Sequence, residues 1–147
     1  MTTQLRRRPT ALPFGVATLA LTLARCEDSG DDNGTGSSTT ITAPGIVGPN
    51  SPAPIGDNQP TLTVTNASVS TGASPTYTFQ VATDQGFSST VAQASGIAQG
   101  SGQTSWVVSQ ALGEGAYFWR ARAEVSGTPG PYSPVAQFAI FGIQPGP

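Results

Sequence analysis

The side chains best suited to hold a ligand lie on one side of a single predicted strand. Residues 117–123 read Tyr-Phe-Trp-Arg-Ala-Arg-Ala, and this two-residue alternation places Phe118, Arg120 and Arg122 on the same side. An aromatic ring beside guanidinium donors can hold a sugar ring or the edge of a partner protein. Gln80, on a second predicted strand, would add an amide to this surface if the two strands pair. The alternative is an ordinary solvated exterior, on which the arginine stems cover Phe118 and the charges pair with neighbouring acids.

Groups that could carry out catalysis are scarce in the chain. It contains no histidine and no lysine and has a single cysteine, so it lacks the commonest general base, the lysine of a phosphate-binding loop and the ligands of a thiolate metal site. The acidic residues of the predicted domain fall mostly at turns, where nothing brings two of them together for glycoside hydrolysis. They are Asp57, Asp84, Glu114 and Glu124. We therefore expect no catalytic residue, no bound metal, no cofactor and no enzymatic activity.

Charge is distributed unevenly along the chain. Four of the six arginines precede Cys26, and the sequence after that cysteine has two arginines against all 8 acidic residues. Proteins that bind nucleic acid neutralise phosphates with clustered lysine and arginine. An acidic mature region is poorly suited to this, so nucleic acid is excluded as a partner.

The rest of the chain predicts short strands rather than helices. Its 18 glycines and 13 prolines, with many serines and threonines, favour turns and short strands. Apolar residues alternate with polar ones in several segments that recur without helices between them, which predicts a single antiparallel β-sandwich. We expect its core to include Trp106, Leu112, Tyr117 and Trp119. Phe87 follows an Asp-Gln-Gly turn and is expected to fold back as a plug on this core.

The first 26 residues have the layout of an export signal. Three arginines precede an apolar run from Ala11 to Ala24, which is shorter than the roughly 20 residues that span a bilayer as a helix. The following segment Leu-Ala-Arg-Cys26 resembles the lipobox of bacterial lipoproteins, which implies a lipid on Cys26 and anchoring to the membrane of the cell envelope. Arg25 departs from that pattern, because a small residue is expected beside the cysteine. Cleavage after Ala24 would instead release a soluble secreted protein, and an uncleaved signal that anchors the chain is the remaining alternative. Lipid anchoring and secretion both place the protein outside the cytoplasm.

Composition divides the remainder into a tether, a domain and a tail. Residues 27–49 are rich in Asp, Gly, Ser and Pro, which predicts a flexible linker. Residues 50–142 carry the strand pattern, and residues 143–147 form a short tail. Within the domain, Thr128-Pro-Gly-Pro131 is predicted to turn the chain out of the strand that contains Arg120.

The domain also resembles a fibronectin type III module, in a form common in bacterial surface and secreted proteins. The residues that carry the resemblance are Tyr77-Thr-Phe-Gln-Val81 with Asp84 and Phe87, Thr104-Ser-Trp106, Leu112 with Gly115 and Tyr117, Trp119-Arg-Ala-Arg-Ala123, and Gly130-Pro-Tyr-Ser133 leading to Phe138. The resemblance implies that the Leu112 turn precedes a tyrosine, Tyr117, whose hydroxyl bonds back to the chain. It further implies a spacer or binding module without catalytic activity of its own.

These observations favour a non-catalytic, lipid-anchored or secreted protein that displays one such module for protein-protein contact or spacing. A carbohydrate-binding module is the alternative, with Phe118, Arg120, Tyr132 and Phe141 as its exposed groups. A third reading is an accessory domain of an enzyme. The sequence does not identify the protein or glycan that would be bound.

Overall fold

The computed structural model of the protein describes residues 38–142, which form nine β-strands and no helix. The strands are β1 Gly45–Gly48, β2 Pro54–Ile55, β3 Thr61–Thr65, β4 Thr76–Ala82, β5 Thr90–Ala98, β6 Gln103–Val107, β7 Gly115–Val125, β8 Thr128–Tyr132 and β9 Ala136–Ile140. A three-stranded sheet has the order β1-β3-β6, and a six-stranded sheet has the order β2-β9-β7-β4-β5, with β8 also paired to β7. The predicted all-β sandwich is confirmed. Only the two-residue β2 departs from antiparallel pairing in the described region, since it runs parallel to β9.

The core lies between the two sheets and is built from the inward side of each strand. Trp119 and Phe79 of the six-stranded sheet are fully buried, and Trp106 of the other sheet is nearly so. The Phe79 ring centroid lies 6.0 Å from that of Trp106 and 6.3 Å from that of Trp119, so these three aromatic rings join the sheets. The indole Nε1 of Trp119 donates a hydrogen bond to the carbonyl oxygen of Pro49 at 2.7 Å, which satisfies its buried polar group.

Two buried tyrosines use their hydroxyls to fix the chain at the ends of strands. The Tyr117 hydroxyl donates to the carbonyl oxygen of Gly113 at 3.0 Å, directly after the buried Leu112. The Tyr77 hydroxyl accepts a hydrogen bond from the amide of Ala67 at 2.8 Å. Burial raises the pKa of Tyr77 above its ordinary value, because the phenolate would be poorly solvated there.

The sandwich begins earlier than the composition predicts. β1 falls within residues 27–49, the predicted tether, yet it pairs with β3 as an edge strand. Before it, Ile41 forms a β-bridge with Val69 and is buried in the core. The boundary expected at residue 50 is therefore too late, because two isolated apolar side chains, Ile41 and Ile46, pack against distant parts of the domain.

The chain also leaves β7 earlier than predicted. The turn falls at Ser126 and Gly127, which both have positive φ values, 50° and 80°, as a two-residue hairpin turn requires. The segment Thr128–Pro131, predicted as a turn, instead belongs to the strand β8, Thr128–Tyr132. Its prolines are tolerated because β8 lies at the edge of the sheet.

Within residues 38–142 there is no helix of the length and apolar character needed to cross a bilayer. Cys26 and the signal lie outside the described residues, as do residues 27–37 of the predicted tether and the tail at 143–147.

Candidate functional site

The guanidinium of Arg120 is held against two aromatic rings on the outer side of the six-stranded sheet. Its Cζ atom lies 4.0 Å from the ring centroid of Phe87 and 3.9 Å from that of Tyr132. Both distances are well within the range of cation–π attraction. Arg120 remains partly exposed, so its position is fixed without removing it from solvent.

An amide from the neighbouring strand holds the same arginine from a further direction. β4 pairs with β7 in the register that places Gln80 directly opposite Arg120. The Nε of Arg120 donates to Oε1 of Gln80 at 3.0 Å, and Nε2 of Gln80 donates to Oε1 of Gln93 on β5 at 3.1 Å. A row of polar contacts therefore crosses three strands and ends on the guanidinium.

The second arginine of the face is held differently, because an acid neutralises it. Arg122 forms a salt bridge with Glu124 through Nη2 at 2.8 Å, and its Nε donates to the same carboxylate at 3.0 Å. Thr78 on β4 donates to that carboxylate at 3.1 Å. The Cζ of Arg122 lies 5.0 Å from the Tyr132 ring centroid, so Tyr132 contacts both guanidinium groups.

Tyr132 reaches this position through an irregularity in β8. The register places Tyr132 opposite Arg122, and a bulge follows before Glu124 pairs with Pro129. Ser133 then fixes the chain to β7: its amide donates to the carbonyl oxygen of Ala121 at 2.7 Å, and its Oγ accepts from the amide of Ala121 at 3.0 Å. Because Ser133 is buried, this pair of bonds sets where the preceding tyrosine lies.

Phe87 reaches the site from the turn between β4 and β5. Its backbone has a φ of 58°, which is unusual for a residue with a side chain, and its amide donates to the carbonyl oxygen of Asp84 at 3.1 Å. The Asp84 carboxylate accepts hydrogen bonds from the amides of Ser88 at 3.0 Å and Ser89 at 2.8 Å. These two bonds lower the pKa of Asp84, because they favour its charged form. The expectation that Phe87 plugs the core is wrong: it is only partly buried, and its ring lies on Arg120.

The structure brings most of the predicted surface together. Gln80, Arg120 and Arg122 share the outer side of β4 and β7, and Phe118 lies on the same side between Ala82 and Gln137. The rings that contact Arg120 are nevertheless Phe87 and Tyr132 rather than Phe118. Phe87 was expected in the core, and Tyr132 was expected only as an exposed group of a carbohydrate-binding module. Alternation along single strands gave no signal for either contact, because one depends on a turn and the other on a bulge.

The acidic residues of the domain are dispersed rather than gathered. Asp57 accepts from the amide of Gln59, Asp84 caps its turn, and Glu114 accepts from the amide of Gly142. Glu124 pairs with Arg122. In the region that the structure describes, no three His, Cys, Asp or Glu side chains are placed to hold a metal ion.

No known protein-family model matches the chain, and no curated protein sequence matches it significantly.

Proposed function

We propose that this protein is a non-catalytic module of the cell envelope that binds a partner protein through the outer side of its six-stranded sheet. The observation that carries the proposal is the fixed guanidinium of Arg120, held by Phe87, Tyr132 and Gln80 on an exposed face. Aromatic and arginine side chains that are held in place contribute strongly to protein interfaces, because little of their conformational freedom remains to be lost on binding.

A fibronectin type III-like character supports the same proposal. The hydroxyl of Tyr117 bonds to the backbone four residues upstream, beside the buried Leu112, as the tyrosine corner of such sandwiches does. Two facing sheets and a core held by packing, without a cysteine in the described residues, also agree with this kind of module. Modules of this type serve as spacers or binding domains, which fits a protein displayed outside the cytoplasm.

A carbohydrate-binding role has weaker support. A sugar ring stacks on a free aromatic face, whereas Arg120 covers one face of Phe87 and one of Tyr132. Phe141 is 53% exposed, but it lies beyond β9 rather than beside the arginine. An accessory role beside an enzyme stays compatible with a protein-binding face, since the partner would then be the catalytic domain.

Site-specific photo-cross-linking in intact cells tests the binding face. A photoreactive residue would replace Gln137, which is exposed beside Phe118 on the Arg120 face, or Gln103, which is exposed on the other sheet. We expect adducts with a specific protein from position 137 and not from position 103. Adducts from neither position, or equally from both, would remove the proposed face.

The anchoring half of the proposal has its own test. Cells that produce the full chain would be labelled with palmitate, with Cys26→Ser as the matched control. We expect the label in the wild-type protein and its loss in the variant, together with release from the membrane fraction. Unlabelled protein in the medium, with an N-terminus at Arg25, would show secretion after cleavage at Ala24 instead of lipid anchoring.

A further inference from the structure

Arg120 differs from Arg122 in having an unneutralised charge. In the part of the chain that the structure describes, no carboxylate lies within salt-bridge distance of Arg120, whereas Arg122 has Glu124 at 2.8 Å. The Nε of Arg120 is used by Gln80, but its two terminal nitrogens have no hydrogen-bond acceptor among residues 38–142. The guanidinium therefore retains the donors on its two terminal nitrogens for a group from outside the domain.

The contacts that hold Arg120 leave the two terminal nitrogens of its guanidinium available for hydrogen bonds. Phe87 and Tyr132 contact the guanidinium through their ring faces, at 4.0 and 3.9 Å from Cζ, and neither ring can accept a strong hydrogen bond. Gln80 bonds to Nε, the nitrogen nearest the stem. The planar fork formed by the terminal nitrogens matches the two oxygens of a carboxylate.

We propose that Arg120 binds a carboxylate side chain of an acidic segment in the partner protein. This inference rests on the proposed function and names the chemistry of the partner. Charge complementarity selects the occupant: a neutral segment would leave the guanidinium without a counter-charge in the interface, and a basic one would be repelled. Fixing the rotamer in advance lowers the entropy lost on binding. Glu124 limits the contribution of Arg122, so the recognition is centred on Arg120.

The test uses the full chain with isotope-labelled arginine and two short peptides with both ends blocked, Glu-Gly-Glu and its neutral counterpart Gln-Gly-Gln. The Nε–Hε signal of Arg120, assigned by its loss in Arg120→Gln, would be followed by NMR during titration. We expect a saturable shift with the glutamate peptide and binding at least about tenfold weaker with the glutamine peptide. The shift at Arg122 should be smaller, because Glu124 already occupies it.

Two substitutions at the site and one control separate charge from geometry. Arg120→Gln should weaken binding of the glutamate peptide at least about tenfold. Both proteins carry the N-terminal arginines, so any peptide binding by those arginines cancels in the comparison. Arg120→Lys keeps the charge without the planar fork, so it should recover only part of the affinity. Gln103→Ala, on the opposite sheet, should bind like the wild type. Unchanged affinity in Arg120→Gln would overturn the inference.

Two further outcomes separate the inference from the proposed function. Binding of a glucuronate disaccharide, with no binding of the glutamate peptide, would overturn a protein carboxylate as the occupant. Cross-links from position 137 that persist in Arg120→Gln and are not displaced by the glutamate peptide would also overturn the inference, while the protein-binding face would stand. Cross-links that the glutamate peptide displaces would support both.

Discussion

The outer sides of the two sheets both face water, but they carry different kinds of side chain. β1, β3 and β6 contain no charged residue, and their outer side carries hydroxyl groups such as those of Thr63 and Ser105, which share a hydrogen bond of 2.9 Å. The outer side of β7 carries two guanidinium groups, and two aromatic residues lie outside the core to hold one of them. Among the described strands, guanidinium groups packed on aromatic rings therefore occur on the outer side of the six-stranded sheet and not on that of the three-stranded sheet.

Ser133→Ala, compared with a matched substitution on the other sheet, should give the largest difference in the free energy of unfolding between the two faces. The substitution removes the acceptor of the buried Ala121 amide and frees the segment that positions Tyr132, so we expect a loss of about 1–3 kcal/mol in the free energy of unfolding. Ser105→Ala is the matched control, because its hydroxyl pairs with Thr63 in an exposed position, and we expect a change within about 0.5 kcal/mol. Urea denaturation measures both. Equal losses would show that the two faces do not differ in this way.

Substitutions of Phe87 should reverse the usual order of alanine and glycine. Both remove the ring from Arg120, but alanine must keep a φ near 58°, which costs a residue with a side chain about 1–2 kcal/mol, whereas glycine adopts it freely. The greater freedom of glycine in the unfolded chain offsets part of this gain. We expect Phe87→Gly to be more stable than Phe87→Ala by about 1 kcal/mol in urea denaturation. If Phe87→Ala is the more stable, the turn is not holding Phe87 in a strained conformation.

The sequence predicted the strands and their sides far better than the contacts made by loops. Alternation reports which side chains of β4 and of β7 face inward, because that information is local. Gln80 was expected beside Arg120 only if the two strands pair, and they do pair. The position of Phe87 depends on how the Asp84 carboxylate closes a turn, and that of Tyr132 depends on a bulge and on bonds from Ser133 to β7. The Asp84 turn is local but lies outside any alternating segment, whereas the bonds from Ser133 are tertiary contacts between separate parts of the chain. Composition failed at β1 for the same reason, since its partner strand lies elsewhere in the sequence.

A smaller, pH-dependent change in stability should follow from the turn that holds Phe87. The stabilisation that Asp84 provides should be lost only at acidic pH. Hydrogen bonds from Ser88 and Ser89 keep the pKa of Asp84 below its ordinary value, so its charged form stabilises the folded state. That stabilisation is complete above the pKa of the unfolded chain, about 3.9, and is lost as the pH falls through the lower pKa of the folded state. We expect wild type to be more stable than Asp84→Ala at neutral pH and the difference to shrink in acid. A pH-independent difference in thermal denaturation would contradict this linkage.

Glu124→Gln should change stability least and yet make the two arginines of β7 alike. An exposed ion pair contributes about 0–1 kcal/mol, and the glutamine oxygen can still accept from Thr78, so urea denaturation should show a small loss. Arg122 would lose its counter-charge and gain free donors beside Arg120. We therefore expect the Glu-Gly-Glu peptide to bind the Glu124→Gln variant a few-fold more tightly than it binds the wild type. Added salt should reduce this gain. Unchanged affinity would mean that neutralisation by Glu124 is not what distinguishes Arg122 from Arg120, and that the position of Arg120 between Gln80 and the two rings sets the difference instead.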